Sequence, residues 1–287
     1  MSMGTRSRRA FAVSSSALLA LAFAAPAVAQ EAEPDMLARI QADGVIRMST
    51  DPAYPPQSFL DTDGSLNGFD IDVGTEIATR LGVDIVFETP DFALVSAGNW
   101  SDRWDFSVGS VTITSARQEV LDFTQPYYYT PAQFAVRTDS GYTTLDDLAG
   151  TTVCMGEGTT YLDWYNGELD FGTETPDTVP PEGSVATTLP TDRNCAESWA
   201  AGRMDFEGWL TAAPTVQGAI DEGLPVMALG EPVFHEPLAA AFDNGIEDND
   251  SLVAAVDAII GEMHADGTLR ALSQTWYGMD LTMPPAE

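Results

Sequence analysis

Phe106-Ser107-Val108-Gly109-Ser110-Val111-Thr112-Ile113-Thr114-Ser115-Ala116-Arg117, followed closely by Phe123-Thr124-Gln125-Pro126-Tyr127, is the stretch from which the rest of the chain can be read. Residues 106–111 have the apolar content of a short strand. Ser110 and Thr112 flank Val111, so the period-2 alternation of a strand sends both hydroxyls one way from its end. Arg117 follows shortly after. Its guanidinium is a planar fork of donors that matches a carboxylate in bidentate fashion. The plainer reading of a single arginine is a solvated residue on a helix. After Pro126 the strand-and-helix pattern starts afresh, which divides the chain.

Working outward, strand-like and helix-like segments alternate in both directions. Upstream, residues 45–49 read as a strand. Residues 70–81 carry Ile71, Ile77, Ala78 and Leu81 near helical spacing, and Gly82 ends them. Residues 83–87 read as a second strand. Downstream, residues 133–137 form a strand and Thr144 caps a short helix that ends at Gly150. Residues 152–155 form a strand that runs into Gly156-Glu157-Gly158-Thr159-Thr160. Residues 170–190, rich in Pro, Thr and Gly, read as a long surface loop. A helix over 192–201, a strand over 204–209, a strand over 238–242 and a helix over 251–265 follow. The last helix has an apolar stripe of Leu252, Val256, Ile259, Ile260 and Met263, and Gly267 follows its end. Such alternation predicts α/β layers with largely parallel strands. No tandem repeat or flexible linker separates the two halves. The chain is therefore expected to form two lobes joined by two strands, near residues 129–136 and 238–242. Sites in α/β proteins lie beyond the carboxyl ends of strands and at domain junctions, which points to the cleft between the lobes.

The first residues read as an export signal. Arg6, Arg8 and Arg9 form a basic start, an apolar run follows, and Ala27-Val28-Ala29 is a cleavage pattern. The apolar run is too short for a membrane helix. The chain has 44 acidic and 12 basic residues, every basic one an arginine, for a net charge of −32. Loss of the three leader arginines takes this to −35. So negative a chain repels nucleic acid and anionic lipid. The acids are scattered, as on a solvated acidic surface. Asp61-Thr62-Asp63-Gly64 is too short for a calcium loop of the EF-hand type. Cys154 and Cys195 are the two cysteines, and an exported chain meets an oxidising compartment, so a disulfide is expected between them. With two histidines in the chain and no CxxC or HxxxH spacing, a metal site is not expected.

Several segments in order resemble the periplasmic solute-binding proteins of ABC importers, extracellular solute-binding family three, of the polar amino acid type. They begin with Thr50-Asp51-Pro52-Ala53-Tyr54-Pro55-Pro56 and Gly64…Gly68-Phe69-Asp70-Ile71-Asp72. The opening stretch with Thr112-Ile113-Thr114…Arg117 and Phe123-Thr124…Pro126-Tyr127 comes next. Leu148-Ala149-Gly150, Gly158-Thr159-Thr160, Gly202-Arg203-Met204-Asp205, and Asp266-Gly267-Thr268 with Trp276 complete the series. The resemblance implies the two-lobed periplasmic binding protein fold. Lobe 1 is expected over 30–130 and 241–287, lobe 2 over 131–240, and the cleaved signal over 1–29. It implies a monomeric periplasmic protein that meets a small-molecule ligand and the membrane permease of an importer, without cofactor or metal. By the same resemblance Arg117, Ser110 and Thr112 would hold a ligand carboxylate and Tyr54 would stack on the ligand. Thr159 and Thr160 would open a helix whose free N–H groups favour an anion.

Two departures bear on the ligand. The aspartate that the family places after its G-R-x-D segment, to hold an α-ammonium, falls here on Leu210. Glu207 is the nearest acid, with Trp209 beside it as a further site candidate. Residues 96–105 read as a loop that brings Trp100 and Trp104 to the cleft rim in place of an amphipathic helix. Either Glu207 supplies the charge from a shifted backbone, and the small carboxylate-bearing solute is an amino acid or related compound, or the ligand lacks a primary α-amine and is not one of the common α-amino acids. The alternative is an enzyme, since a periplasmic cyclohexadienyl dehydratase shares this fold, with Glu207 as its general acid. A receptor sensor domain would need a membrane helix, and the sequence after the leader has no apolar run long enough.

Overall fold

The computed structural model describes residue 1, residues 35–172 and residues 176–285. Beyond Met1, the expected leader lies outside the described residues. Helix α1 (Met36–Asp43) opens on Asp35, whose carboxylate accepts the Ala38 N–H at 2.9 Å. Strand β1 (Val45–Ser49) leads into a small antiparallel sheet of β2 (Ala53–Tyr54), β3 (Ser58–Leu60) and β4 (Leu66–Asn67). Helix α2 (Phe69–Leu81) buries Phe69, Ile71, Val73 and Ile77 and stops at Gly82, as its spacing predicts. Strand β5 (Asp84–Glu88), the short helix α3 (Phe92–Ser96) and strand β6 (Phe106–Thr112) follow. Strand β7 (Leu121–Arg137) then runs 17 residues.

The second half contains β8 (Thr152–Gly156), α4 (Thr160–Asn166), β9 (Val185–Leu189), α5 (Arg193–Ala200), β10 (Gly208–Ala212) and α6 (Ala213–Asp221). Strand β11 (Val226–Asp243) runs 18 residues back to the first half. Helices α7 (Asp250–Asp266) and α8 (Thr268–Tyr277) close the described chain.

One eight-stranded sheet runs through the molecule in the order β5-β1-β6-β11-β7-β10-β8-β9. The strands at either end are parallel, β5-β1-β6 on one side and β10-β8-β9 on the other. The long strands β7 and β11 pair antiparallel between them and extend into both halves. This is the mixed α/β, two-lobed architecture that the alternation of segments predicts, with two long strands as the sheet connection. Each half has its own core. Ile46, Met48, Phe69, Phe106, Tyr127, Phe242 and Ile260 belong to the first. Phe134, Val153, Trp164, Leu210 and Leu229 belong to one face of the second, and Cys154, Cys195, Trp199, Phe206 and Trp209 to its other face. Cys154 and Cys195 are joined, with an S–S distance of 2.04 Å.

The structure corrects three expectations. Residues 185–189, expected within a loop, form strand β9 on the edge beside β8. Threonine counts as a turn residue in a Pro- and Gly-rich stretch, but its β-branch favours the pleated sheet. Strand β10 begins at Gly208, four residues later than expected: the Gly202 and Arg203 N–H groups still bond the Trp199 and Ser198 carbonyls at the end of α5. Trp100 and Trp104 are core residues, 0% and 2% exposed, with ring centroids 5.4 Å apart. The Trp100 indole donates to the Val95 carbonyl at 3.0 Å. Their loop reaches the interior through Asn99, Ser101 and Asp102, all with φ near +55°.

Candidate functional site

A cleft opens where β6, β11 and the β8–α4 turn converge. It encloses about 470 Å³, counting its open mouth. Tyr54, Ser110, Thr112, Arg117, Thr159 and Thr160, all candidates from sequence, line it together with Asp51, Phe92, Tyr161, Asp192 and Glu236.

Arg117 begins a single 3₁₀ turn just past the end of β6, and its N–H donates to the Thr114 hydroxyl at 3.1 Å. The side chain is 6% exposed. Its Nη1 donates to the Thr112 carbonyl at 3.1 Å and its Nη2 to the Gly158 carbonyl at 2.9 Å, so it touches both halves. The guanidinium also lies over the Phe92 ring at 5.5 Å. Among the described residues it makes no ion pair. Burial lowers its affinity for a proton, opposed by the nearby negative charges of Asp163 and Glu236. The Gly158 carbonyl comes this close because Gly158 has φ +72° and a Cβ there would lie 3.0 Å from the Ala93 Cα.

The two hydroxyls of β6 do not point together. Ser110 has φ +55°, which breaks the strand alternation. Its hydroxyl donates to the Asp70 carboxylate at 2.7 Å, behind the cleft wall, and also meets the Tyr128 hydroxyl. The Tyr127 hydroxyl donates to the other Asp70 oxygen at 2.8 Å. Burial pushes the Asp70 carboxyl up to about 7 against the pull of these two hydroxyls, with the Asp51 charge adding to the rise. Thr112 instead donates to Glu236 Oε1 at 2.8 Å.

Glu236 lies on β11 opposite Thr130, where the strand passes from one half of the sheet to the other. It is 2% exposed. Thr112 and Thr160 both donate to its Oε1, and the Tyr161 hydroxyl donates to its Oε2 at 2.8 Å. Tyr161 in turn sits 3.5 Å from the Tyr54 hydroxyl. Burial pushes both phenols well above their ordinary range. Asp192, just before α5, accepts the Gly156 N–H at 2.7 Å. Burial raises its carboxyl to about 8, opposed by that hydrogen bond and reinforced by the charges of Asp51 and Glu236. Asp51 turns back on its own loop and accepts the Ala53 N–H at 2.7 Å, and burial raises its carboxyl too. The Thr159 hydroxyl donates to the Gly156 carbonyl at 2.9 Å and so does not cap α4.

Glu207 and Trp209 are not brought to the cleft. Glu207 precedes β10 at the end remote from the cleft, where its carboxylate accepts the Thr152 N–H at 3.2 Å. Trp209 and Leu210 are both fully buried, on opposite faces of β10 in separate apolar cores. The late start of β10 fixes this, since the sites of an α/β sheet gather at the strand ends that follow, not at those that precede. Two of the acids that line the cleft, Asp192 and Glu236, escape a reading by local motif. Asp192 looks like a helix-start residue. Glu236 looks like one more acid in an acidic chain, although its setting between Phe234 and Leu238 in a strand is the sequence signal of burial.

Comparison with known proteins gives a concordant picture. The profile of the bacterial extracellular solute-binding proteins, family 3, matches residues 46–279. The chain is 30% identical over 255 residues to the L-cystine-binding protein TcyJ of Escherichia coli (strain K12), covering 88% of this chain and 89% of that one. The crystal structure of the substrate binding protein of an amino acid ABC transporter aligns with TM-score 0.70 at 25% identity, over 82% of this chain and 100% of that one. The ancestral amino acid-binding protein AncCDT-1, a precursor of cyclohexadienyl dehydratase, shares the fold with TM-score 0.71 at 24% identity, over 84% and 99% of the two chains.

Proposed function

This chain belongs to the bacterial extracellular solute-binding proteins, family 3, and on that premise we propose that it is the substrate-binding component of an ABC importer for an amino acid. The observation that carries the reading is Arg117. A guanidinium 6% exposed, lining a cleft and without a carboxylate partner, is a charge held ready for a ligand anion. Its two carbonyl contacts fix the fork and leave further N–H donors for a carboxylate. Tyr54 and Phe92 supply apolar surface beside it.

The lobes are residues 30–130 with 241–287 and residues 131–240, in a reading supported by the course of β7 and β11 through both halves of the sheet. The protein is exported to the periplasm through a signal cleaved after Ala29, as a monomer that delivers its ligand to a membrane permease. No described helix is long and apolar enough to cross a membrane. It is a carrier and not a dehydratase: the general acid considered for that chemistry, Glu207, lies outside the cleft on the Thr152 backbone.

The test is a thermal-shift screen of the ligand-free protein against L-cystine, the standard amino acids and their organic-acid counterparts, followed by calorimetry. A ligand at 100 times its Kd stabilises by about 2.7 kcal/mol. Absence of any shift across the amino acids would overturn the assignment.

A further inference from the structure

The cleft is lined by four acids, Asp51, Glu157, Asp192 and Glu236, against one lining cation, Arg117. We propose that Glu236, on the strand that passes between the halves, receives the ammonium group of the ligand, so that the site selects α-amino acids over acids lacking the amine. The proposal rests on the reading of the cleft as an amino acid site and assigns the second pole of the ligand within it.

Glu236 stands out among the four acids, since Glu157 is exposed to solvent while Glu236 is 2% exposed. Asp51 is committed to its own loop and Asp192 to the Gly156 amide. Glu236 is held from three directions by Thr112, Thr160 and Tyr161, every one of them an uncharged hydroxyl. Among the described residues no arginine or histidine reaches it within ion-pair distance. Three hydroxyl donors orient a buried carboxylate but bring no countercharge. A carboxylate with that arrangement is incomplete until a cation arrives. The chain has no lysine to supply one, and the cleft's own cation is tied to the Thr112 and Gly158 carbonyls. A ligand ammonium brings the missing charge and its own N–H donors. Asp192 opens onto the same cavity.

The geometry also changes the ligand expected from sequence. The absence of an acid at position 210 suggested a ligand without an α-amine. The acid is present, but on a different strand, 26 residues further along the chain at position 236. Arg117 and Glu236 line one cleft, so a single α-amino acid meets a cation at its carboxylate and an anion at its ammonium.

The competing account is that Glu236 only ties Thr112, Thr160 and Tyr161 together. Glu236→Gln separates the two, since the amide keeps the size and can hydrogen-bond all three hydroxyls while losing the charge. The probes are L-cystine and the standard L-amino acids, each paired with its des-amino acid, measured by calorimetry on the full exported chain. Wild type is expected to bind at least one amino acid and to bind its des-amino partner ~100-fold more weakly. In E236Q the amino acid is expected to lose ~100-fold and the des-amino acid to change no more than a few-fold. An equal loss for both probes would mean a structural role and would overturn the proposal. So would des-amino acids that bind wild type as well as amino acids do, a result that needs no variant and stands even if E236Q does not fold. In either case the amino acid site itself survives. If no amino acid binds wild type, the reading of the cleft and this proposal fall together.

Discussion

Replacing Asp70 by asparagine should flatten the pH dependence of stability in the ligand-free protein. Asp70 is fully buried at the start of α2, with no ion-pair partner among the described residues and two hydroxyl donors, Ser110 and Tyr127. Burial raises its carboxyl from 3.8 to about 7. The folded protein therefore holds a proton that the unfolded chain releases at much lower pH. A group with its folded value raised contributes stability that is fully present below pH 4 and is lost as pH climbs through about 7. Roughly three pH units at about 1.4 kcal/mol each give a swing of roughly 4 kcal/mol. The asparagine of D70N keeps the shape and can exchange hydrogen bonds with Ser110 and Tyr127, but it carries no titrating proton. Urea unfolding at a series of pH values between the unfolded and folded titration points would give the difference between wild type and D70N. The variant should gain on wild type by about 1.4 kcal/mol per pH unit over most of that range. Taking the difference removes the contribution of Asp192, which shifts in the same direction and is present in both proteins. Parallel curves would refute the argument, because they would mean that Asp70 is already ionised in the fold.

Arg117→Ala should weaken ligand binding by about 2–5 kcal/mol, the usual cost of removing one partner of a desolvated charge pair, with an unchanged far-ultraviolet dichroism spectrum; calorimetry showing affinity within a few-fold of wild type would defeat the carboxylate assignment. Reduction of the Cys154–Cys195 bond, which spans 41 residues, should cost about 4 kcal/mol on the chain-entropy account, read as a lower urea midpoint with reductant. Labelling of the unreduced, denatured protein should find no free thiol. Saturating ligand should reduce the radius of gyration in solution scattering, through closure about β7 and β11, and an identical profile with and without ligand would count against closure.

Much of the fold is legible because it rests on local pattern. The stripe of Leu252, Val256, Ile259 and Ile260 and the stop at Gly267 give α7 almost to its ends, and Gly82 marks the end of α2. Both crossing strands are legible only as fragments. Their middles carry Pro126, Pro131 and Pro237, which argue against a strand; a register shift falls at Pro126, whereas Pro131 and Pro237 sit opposite His235 and Tyr129 in an unshifted stretch of the β11–β7 pairing. Within the site, Arg117, Thr112, Thr160 and Tyr54 lie in short motifs and could be placed from sequence. The hydroxyl of Ser110 could not, because a positive φ at a serine has no local signature and it turns the side chain toward Asp70. The role of Glu236, whose setting between Phe234 and Leu238 signals burial, is hidden for a different reason. Its contact with Thr112 spans 124 positions, a distance along the chain that no local motif records.

The placement of these charges ties recognition to closure. Arg117 is bonded to the Thr112 carbonyl of one half and the Gly158 carbonyl of the other. Glu236 is held by Thr112 of the first half and by Thr160 and Tyr161 of the second. Gln57 and Thr215 meet across the same boundary at 3.2 Å. None of these contacts can be complete unless the halves are together. A ligand shifts a conformational equilibrium only by its difference in affinity for the two states. On the proposed assignment, an amino acid held between Arg117 and Glu236 would have that difference built in, since both of its charged ends would be met by groups whose positions depend on closure. Opening would return Glu236 toward water and loosen the guanidinium fork together. Release would then follow from opening alone, with no separate displacement of the bound solute.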